Sequence, residues 1–245
     1  MNQTIDNLIN HVSVRNFTDE SITEDQKKQL VAAAQSGSTS EFVQAFSLIE
    51  ITDPQLRKQI SDITVSSPHV QKADTFYIFV ADLNRQATML KANNLSLDSL
   101  KNMESLLVAT VDTTIAAQNM ATAAESMGLG ICYIGSIRNN IQQVAKLLEL
   151  PKFTFPLFGM TIGVPAVKNQ PKPRLFIQNQ VATNTYDSQA FNDLTKYDQE
   201  VRKYYANRRT NSQDTTWTEK NLTMFDHIHR PEVASFLKEQ GFSLN

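Results

Sequence analysis

Several short stretches carry the residue types that could do chemistry. The first is His11, Ser13 and Arg15, in HVSVRNF. They fall at alternate positions where a first helix should give way to extended chain, so all three side chains point one way. An imidazole, a hydroxyl and a guanidinium on one face suit an anionic ligand. Standing alone, the same alternation also describes a polar strand edge. The second stretch is Lys172-Pro173-Arg174. Two cations flank a residue that fixes the backbone, which reads either as a phosphate clamp or as a solvated loop. The third is Ser38-Thr39-Ser40, whose hydroxyls and backbone N–H groups could hold a phosphate or ring heteroatoms, although most such loops hold nothing.

The fourth is GLGICYIGSIRNN, residues 128 to 140. Gly135 and Ser136 leave little side-chain bulk where a strand should end, so a flat ring could approach the backbone, with Arg138 just beyond. The alternative is a tight strand-to-helix turn capped by Asn139. The fifth is Arg202-Lys203 with Arg208-Arg209, either a solvated helix face or the seat of an additional phosphate.

Other chemistries lack their residues. The glycines Gly128, Gly130 and Gly135 do not make G-x-G-x-x-G, and no Walker loop or G-x-S-x-G elbow is present. His227 and His229 stand beside Asp226, but no structural zinc set or H-E-x-x-H helix accompanies them, so no metal is expected. The lone cysteine, Cys132, sits in an apolar run and reads as a small buried hydrophobe.

Positioning elements can be read from local signals. Residues 4 to 12 predict a short amphipathic helix with Ile5, Leu8, Ile9 and Val12 on one face. Thr23 with Gln26 forms a capping box for a second helix, and Asp53-Pro54 opens a third, ending before Pro68. Strands are expected at residues 46–52, 75–81, 131–134 and 157–164. Asp98 is read as the cap of a long central helix running to about Met127, with Gly128 closing it. A further helix is expected from Asn139 to Leu150. After a proline-rich exit loop at residues 165–173, the rest is polar and mostly helical, an arm without a core of its own. Helices and strands mix without regular βαβ alternation, which predicts an α+β fold. The expected organisation is one domain, a core over 1–165 and an arm over 166–245.

A chain of 245 residues with 41% hydrophobic and 20% charged residues can bury a sizeable core and shows no sign of disorder. Its formal net charge of −2 argues against nucleic acid as a main partner. The N-terminal stretch has no basic run followed by an apolar one, so no secretory signal is expected. The most apolar long segment, Leu106 to Ala124, contains Asp112, Gln118 and Asn119, which predicts a buried helix rather than a membrane span. One cysteine allows no internal disulfide, which suits a cytoplasmic setting.

Taken together, HVSVRNFTDE, the STS loop, AAESMGLGICYIGSIRNN, the run from Phe155 to Gly163, KPRL, and KYYANRR before Trp217 resemble the nitroreductase family, in its NADPH-preferring flavin reductase and oxygen-insensitive nitroreductase branch. The resemblance runs from about residue 5 to the end. It implies a mixed, mainly antiparallel sheet wrapped by helices, in a homodimer whose C-terminal arms embrace the other subunit, with residues 178–183 adding an edge strand to the partner's sheet. It implies non-covalent FMN, with NADPH as electron donor and nitroaromatics, quinones or flavins as oxidants, in a ping-pong scheme. His11, Ser13, Lys172 and Arg174 would then bind the FMN phosphate and ribityl chain, with Arg15 near the ribityl chain and pyrimidine edge as a charge stabiliser. Ser38, Thr39 and Ser40 would come from the other subunit. Tyr133, Ile134, Gly135 and Ser136 would line the flavin ring, and Arg138 and Arg208 would contact NADPH. No side chain is expected to be catalytic in its own right. The family commonly has Gln where Ser67 stands and Gly where Ser136 stands, so Ser67 and its neighbour Ser66 are doubtful ring contacts. Alternatives within this frame are an FMN reductase that supplies reduced flavin to a monooxygenase, and a non-catalytic flavin-binding sensor.

Overall fold

The computed structural model describes residues 2–65, 67–208 and 212–243. In chain order the helices are α1 (Gln3–Ile9), α2 (Glu24–Gln35), α3 (Pro54–Thr64), α4 (Ser67–Lys72), α5 (Asn84–Ala92), α6 (Asp98–Lys101), α7 (Met103–Ser126), α8 (Ile141–Leu147), α9 (Ser188–Asn192), α10 (Thr195–Ala206), α11 (Trp217–Phe225) and α12 (Val233–Gln240). The strands are β1 (Phe46–Glu50), β2 (Thr75–Asp82), β3 (Gly130–Ile134) and β4 (Thr154–Gly163). They form one sheet in the order β1-β2-β4-β3, antiparallel throughout. A parallel bridge from Ser13 to Ile131 lays the segment after α1 along the outer edge of β3. This is the α+β, mixed and mainly antiparallel arrangement that the sequence predicts.

Local rules account for most boundaries. Thr23 and Gln26 make the full reciprocal capping box of α2, and the Asp53 carboxylate accepts N–H bonds from Gln55 and Leu56 at the start of α3. α3 stops at Thr64, where Val65 turns left-handed at φ 54°, and Pro68 sits in the first turn of α4. At the end of α7, Gly128 takes φ 80° and Leu129 N–H returns to the Ala124 carbonyl, the expected glycine stop.

Strand β2 is buried along its whole length on both faces, which is why TFYIFVAD shows no polar alternation. α7 covers it, with Ala116, Ala117 and Met120 fully buried among Leu30, Phe79, Ile131 and Met160. Small alanines on that face let the helix approach the sheet closely.

Two expected helix starts need correction. Asp98 does not cap the long helix. It begins the one-turn α6 and hydrogen-bonds Lys101, while Asn102 caps α7 through the Ser105 N–H. The helix expected from Asn139 begins later, because Gly135–Asn140 is a 3-10 segment and Asn140 caps α8. In α1 the apolar face is not covered: Ile5, Leu8 and Ile9 are 46%, 46% and 60% exposed.

The chain divides into two compact units, residues 1–168 with 230–245, and residues 169–229. α12 therefore belongs with the main unit, where Phe236, Leu237 and Phe242 join Phe153 and Phe155 in its core. The second unit is not coreless as expected. Tyr197, Val201 and Tyr205 are buried there, with Leu175, Phe176 and Trp217 packed around them. Tyr197 meets Phe176 and Trp217 edge-on at centroid distances of 5.9 and 6.1 Å.

Candidate functional site

In the main unit the segment from His11 to Arg15 is extended, and alternation does the positioning. Val14 is 2% exposed, its N–H bonds the Ile131 carbonyl at 2.8 Å, and its side chain lies over Gly130. A Cβ added to Gly130 would meet Val14 at 2.5 Å, so the glycine lets the segment dock. His11, Ser13 and Arg15 are left on the less buried side. His11 Nδ1 lies 2.6 Å from Oε1 of Glu125, in the last turn of α7. Among the described residues the side chains of Ser13 and Arg15 have no hydrogen-bond or ion-pair partner. Arg15 still acts through space on two neighbours. Burial, then the Arg15 charge, holds the His69 imidazole below its ordinary range. Burial pushes the Cys132 thiol up, with Arg15 pulling the other way. Cys132 is 2% exposed, as its apolar context predicts.

The 3-10 segment after β3 begins at Gly135. Space beside its Cα is taken by the Arg138 guanidinium, 3.4 Å from where a Cβ would stand. Arg138 donates to the Leu157 carbonyl, and burial, then the nearby Arg230 charge, draws its pKa down. Ile134 is 2% exposed with its side chain in the core, so only its backbone is offered outward. Tyr133 is half-buried, edge-on to Phe158 at 5.2 Å, and its hydroxyl is held un-ionised by burial and by the Glu125 charge. Ser136 is half-buried in the same 3-10 segment.

The Ser38-Thr39-Ser40 loop is anchored from below by a residue that carries no motif. Asp112, in the middle of α7, is fully buried. Its two carboxylate oxygens accept N–H bonds from Ser40 at 3.1 Å and Ala45 at 2.9 Å. Arg85 reaches the Gln44 and Phe46 carbonyls, and Gln86 the Val43 carbonyl. Between these anchors Glu41, Phe42 and Gln44 all adopt positive φ, and Phe42 is 81% exposed. Ser67 begins α4, but its side chain and the whole of Ser66 lie outside the described residues.

The second unit holds Lys172 and Arg174, beside a cavity of about 400 Å³ lined also by Tyr197, Tyr205, Trp217 and Lys220. Lys172 and Arg174 have no side-chain partner among the described residues. The Arg208 guanidinium lies over Tyr204 and Tyr205, 5.9 and 5.6 Å from the ring centroids. Its Nε is buried without a hydrogen-bond partner among the described residues. Lys220, which no motif singled out, stands 4.6 Å over the Tyr205 ring. Arg209 lies outside the described residues.

The two histidines near Asp226 are engaged locally. His227 bonds Asp226, and His229 Nε2 lies 2.7 Å from the Met224 carbonyl oxygen. Among the described residues no cluster of metal-ligating side chains occurs, and no helix is long and apolar enough to cross a membrane.

Fold and donor set together define an α+β protein whose unspent hydroxyls and cations suit an anionic ligand. Comparison with known proteins makes this specific. Residues 8–164 match the Nitroreductase family, and residues 172–245 match the Nitroreductase family, C-terminal domain. The chain is 38% identical to an FMN reductase (NADPH) of Bacillus subtilis, over 100% of both chains. It is 40% identical to an oxygen-insensitive NADPH nitroreductase of Salmonella typhimurium, over 99% of both. The solved structure of the B. subtilis nitroreductase NfrA1 superposes with a TM-score of 0.94 at 37% identity, covering 99% of this chain and 100% of that one. The NADPH:FMN oxidoreductase of Vibrio harveyi complexed with NAD+ superposes at 0.90 with 33% identity, covering 100% of both chains. The chain belongs to the nitroreductase family, and it is an oxidoreductase.

Proposed function

We propose that this protein is an NADPH-dependent oxidoreductase that holds FMN without a covalent bond and delivers two electrons to nitroaromatics, quinones or free flavins. The observation that carries this is the set of donors left unspent. Ser13 and Arg15 stand on the docked edge segment, and Lys172 and Arg174 on the exit loop, with no partners among the described residues. Full-length relatives named for NADPH, FMN and nitroreduction support the same reading.

The residues present fit FMN by the chemistry of that donor set. His11, Ser13, Lys172 and Arg174 would hold its phosphate and ribityl chain, charge-assisted bonds to phosphate being about twice as strong as neutral ones. Arg15 would hold the negative charge that reduction places on the pyrimidine side of the ring. Tyr133 and the backbone of Ile134, Gly135 and Ser136 would wall the ring. Ser38, Thr39 and Ser40 would reach it from the other subunit of a homodimer. Bound FMN would supply two-electron redox chemistry between NADPH and the oxidant. Arg208 would contact NADPH, as would Arg138, which keeps its bond to Leu157. The proposed setting is the cytoplasm, on the strength of a single buried thiol.

Anaerobic titration with NADPH, following the absorbance of the bound flavin, tests the proposal. Bleaching of about one flavin per chain is expected. A yellow protein that NADPH leaves unbleached would favour the sensor reading. Arg208→Ala should raise KM for NADPH about ten-fold or more, with flavin still bound. Because relatives carry both names, an FMN reductase feeding a monooxygenase is the second reading. The kcat/KM for free FMN against that for a nitroaromatic separates the two.

A further inference from the structure

The resemblance assigns no role to Glu125, yet its carboxylate partners the first residue of the proposed phosphate site. Its side chain is 13% exposed and that of His11 29%, and the two meet at 2.6 Å through Nδ1 and Oε1. Glu125 is held in the last turn of α7, while His11 directly follows the end of α1, its N–H returning to the Leu8 carbonyl. Nε2 of His11 has no partner among the described residues.

The chemistry follows from which ring nitrogens carry hydrogen. A carboxylate at Nδ1 selects the form with hydrogen there. If that were the ring's only hydrogen, Nε2 would present a lone pair and repel a phosphate oxygen. With hydrogen on both nitrogens, Nδ1 donates to Glu125 and Nε2 donates outward. The carboxylate compensates the positive charge, and a phosphate at Nε2 reinforces it. The other groups around the pair are few. Lys168, Asn7 and Asn10 share a small cavity of about 80 Å³ with Glu125, and the Tyr133 hydroxyl feels the Glu125 charge.

We propose that Glu125 is a positioning residue for the cofactor phosphate, holding His11 as a two-hydrogen donor whose Nε2–H is aimed at an FMN phosphate oxygen. This rests on the assignment of His11 to the phosphate. Glu125 would thereby act on FMN through its phosphate, by way of the His11 ring.

Binding of FMN and of riboflavin, which lacks the phosphate, to the full-length chain freed of flavin tests this by fluorescence quenching. Glu125→Gln should weaken FMN about ten-fold and leave riboflavin unchanged. In the unsubstituted chain with FMN, nitrogen NMR should show hydrogen on both His11 ring nitrogens. Three outcomes overturn the proposal. Equal loss of FMN and riboflavin affinity in Glu125→Gln would make Glu125 merely structural. FMN affinity unchanged in Glu125→Gln, while His11→Ala weakens FMN, would remove the role of Glu125 and leave the phosphate assignment standing. A His11→Ala variant with an unaltered ratio of FMN to riboflavin affinity would remove the phosphate assignment itself.

Discussion

α7 carries two carboxylates that behave oppositely. Asp112, at mid-helix, is fully buried and spends both oxygens on backbone N–H groups of Ser40 and Ala45. Glu125, at the helix end, is partly open and spends its charge on an imidazole whose second nitrogen remains available. The first arrangement is closed, with donors and acceptors matched inside the protein. The second leaves a ring nitrogen over. The difference separates scaffold from site better than residue type does: a polar group whose partners are complete holds structure, and one whose partner set ends in an unpaired donor awaits a ligand.

The comparison can be broken at its closed side first. Asp112→Ala would orphan two N–H groups in the interior, at a cost of about 3 kcal/mol or more. The urea midpoint should fall with little change of slope, and Asp112→Asn, which keeps one acceptor, should lose less. An unmoved midpoint would show that the loop holds itself. On the open side, Lys172→Ala with Arg174→Ala should leave the urea midpoint nearly unchanged and weaken FMN by about 1.5–3 kcal/mol per charge. Riboflavin binding, read by calorimetry, should hardly move. Gly130→Ala falls between these. Its Cβ would meet Val14 at 2.5 Å, so the docked segment must shift, costing about 1–3 kcal/mol. Val14→Ala in the same chain should restore part of it, and a Gly130→Ala variant as stable as the parent would mean that the edge segment is loosely held.

The smallest effect is at His69. Burial and Arg15 keep its folded pKa below the unfolded value of 6.5. Below that pH the unfolded chain binds the extra proton, so this contribution to stability is present above pH 6.5 and is lost as pH falls. Replacing His69 with Gln should flatten the acid limb of the stability profile, measured by urea unfolding at several pH values.

How much of this was legible in the sequence depended on range. Thr23 with Gln26, Asp53 with Pro54, and Gly128 act within four residues of themselves, and each stands where local rules put it. Local rules failed at Asp98, read as the cap of the long helix: Lys101 engages its carboxylate, and Asn102 instead accepts the Ser105 N–H at the start of α7. The alternation of His11, Ser13 and Arg15 was readable because period two is intrinsic to extended chain. Their neighbours were not. His11 meets Glu125 across 114 residues and Ser40 meets Asp112 across 72, and nothing in a motif reports such pairings. Arg138 showed as a free cation in sequence and is bound to Leu157 in the fold, because strand β4 brings that carbonyl beside it. The aromatic cluster of the second unit was missed because Tyr197, Tyr205 and Trp217 are spread along polar helices and do not form an apolar run.

The anchoring of the Ser40–Ala45 stretch has a consequence in time. Surface loops commonly open within nanoseconds to microseconds, independently of the body that carries them. Here the Ala45 amide is fully buried and bonded to the centre of α7, so it can meet solvent only when that helix itself yields. Its hydrogen should therefore exchange with deuterium at the pace of the core, hours behind that of exposed Glu41 only a few positions away.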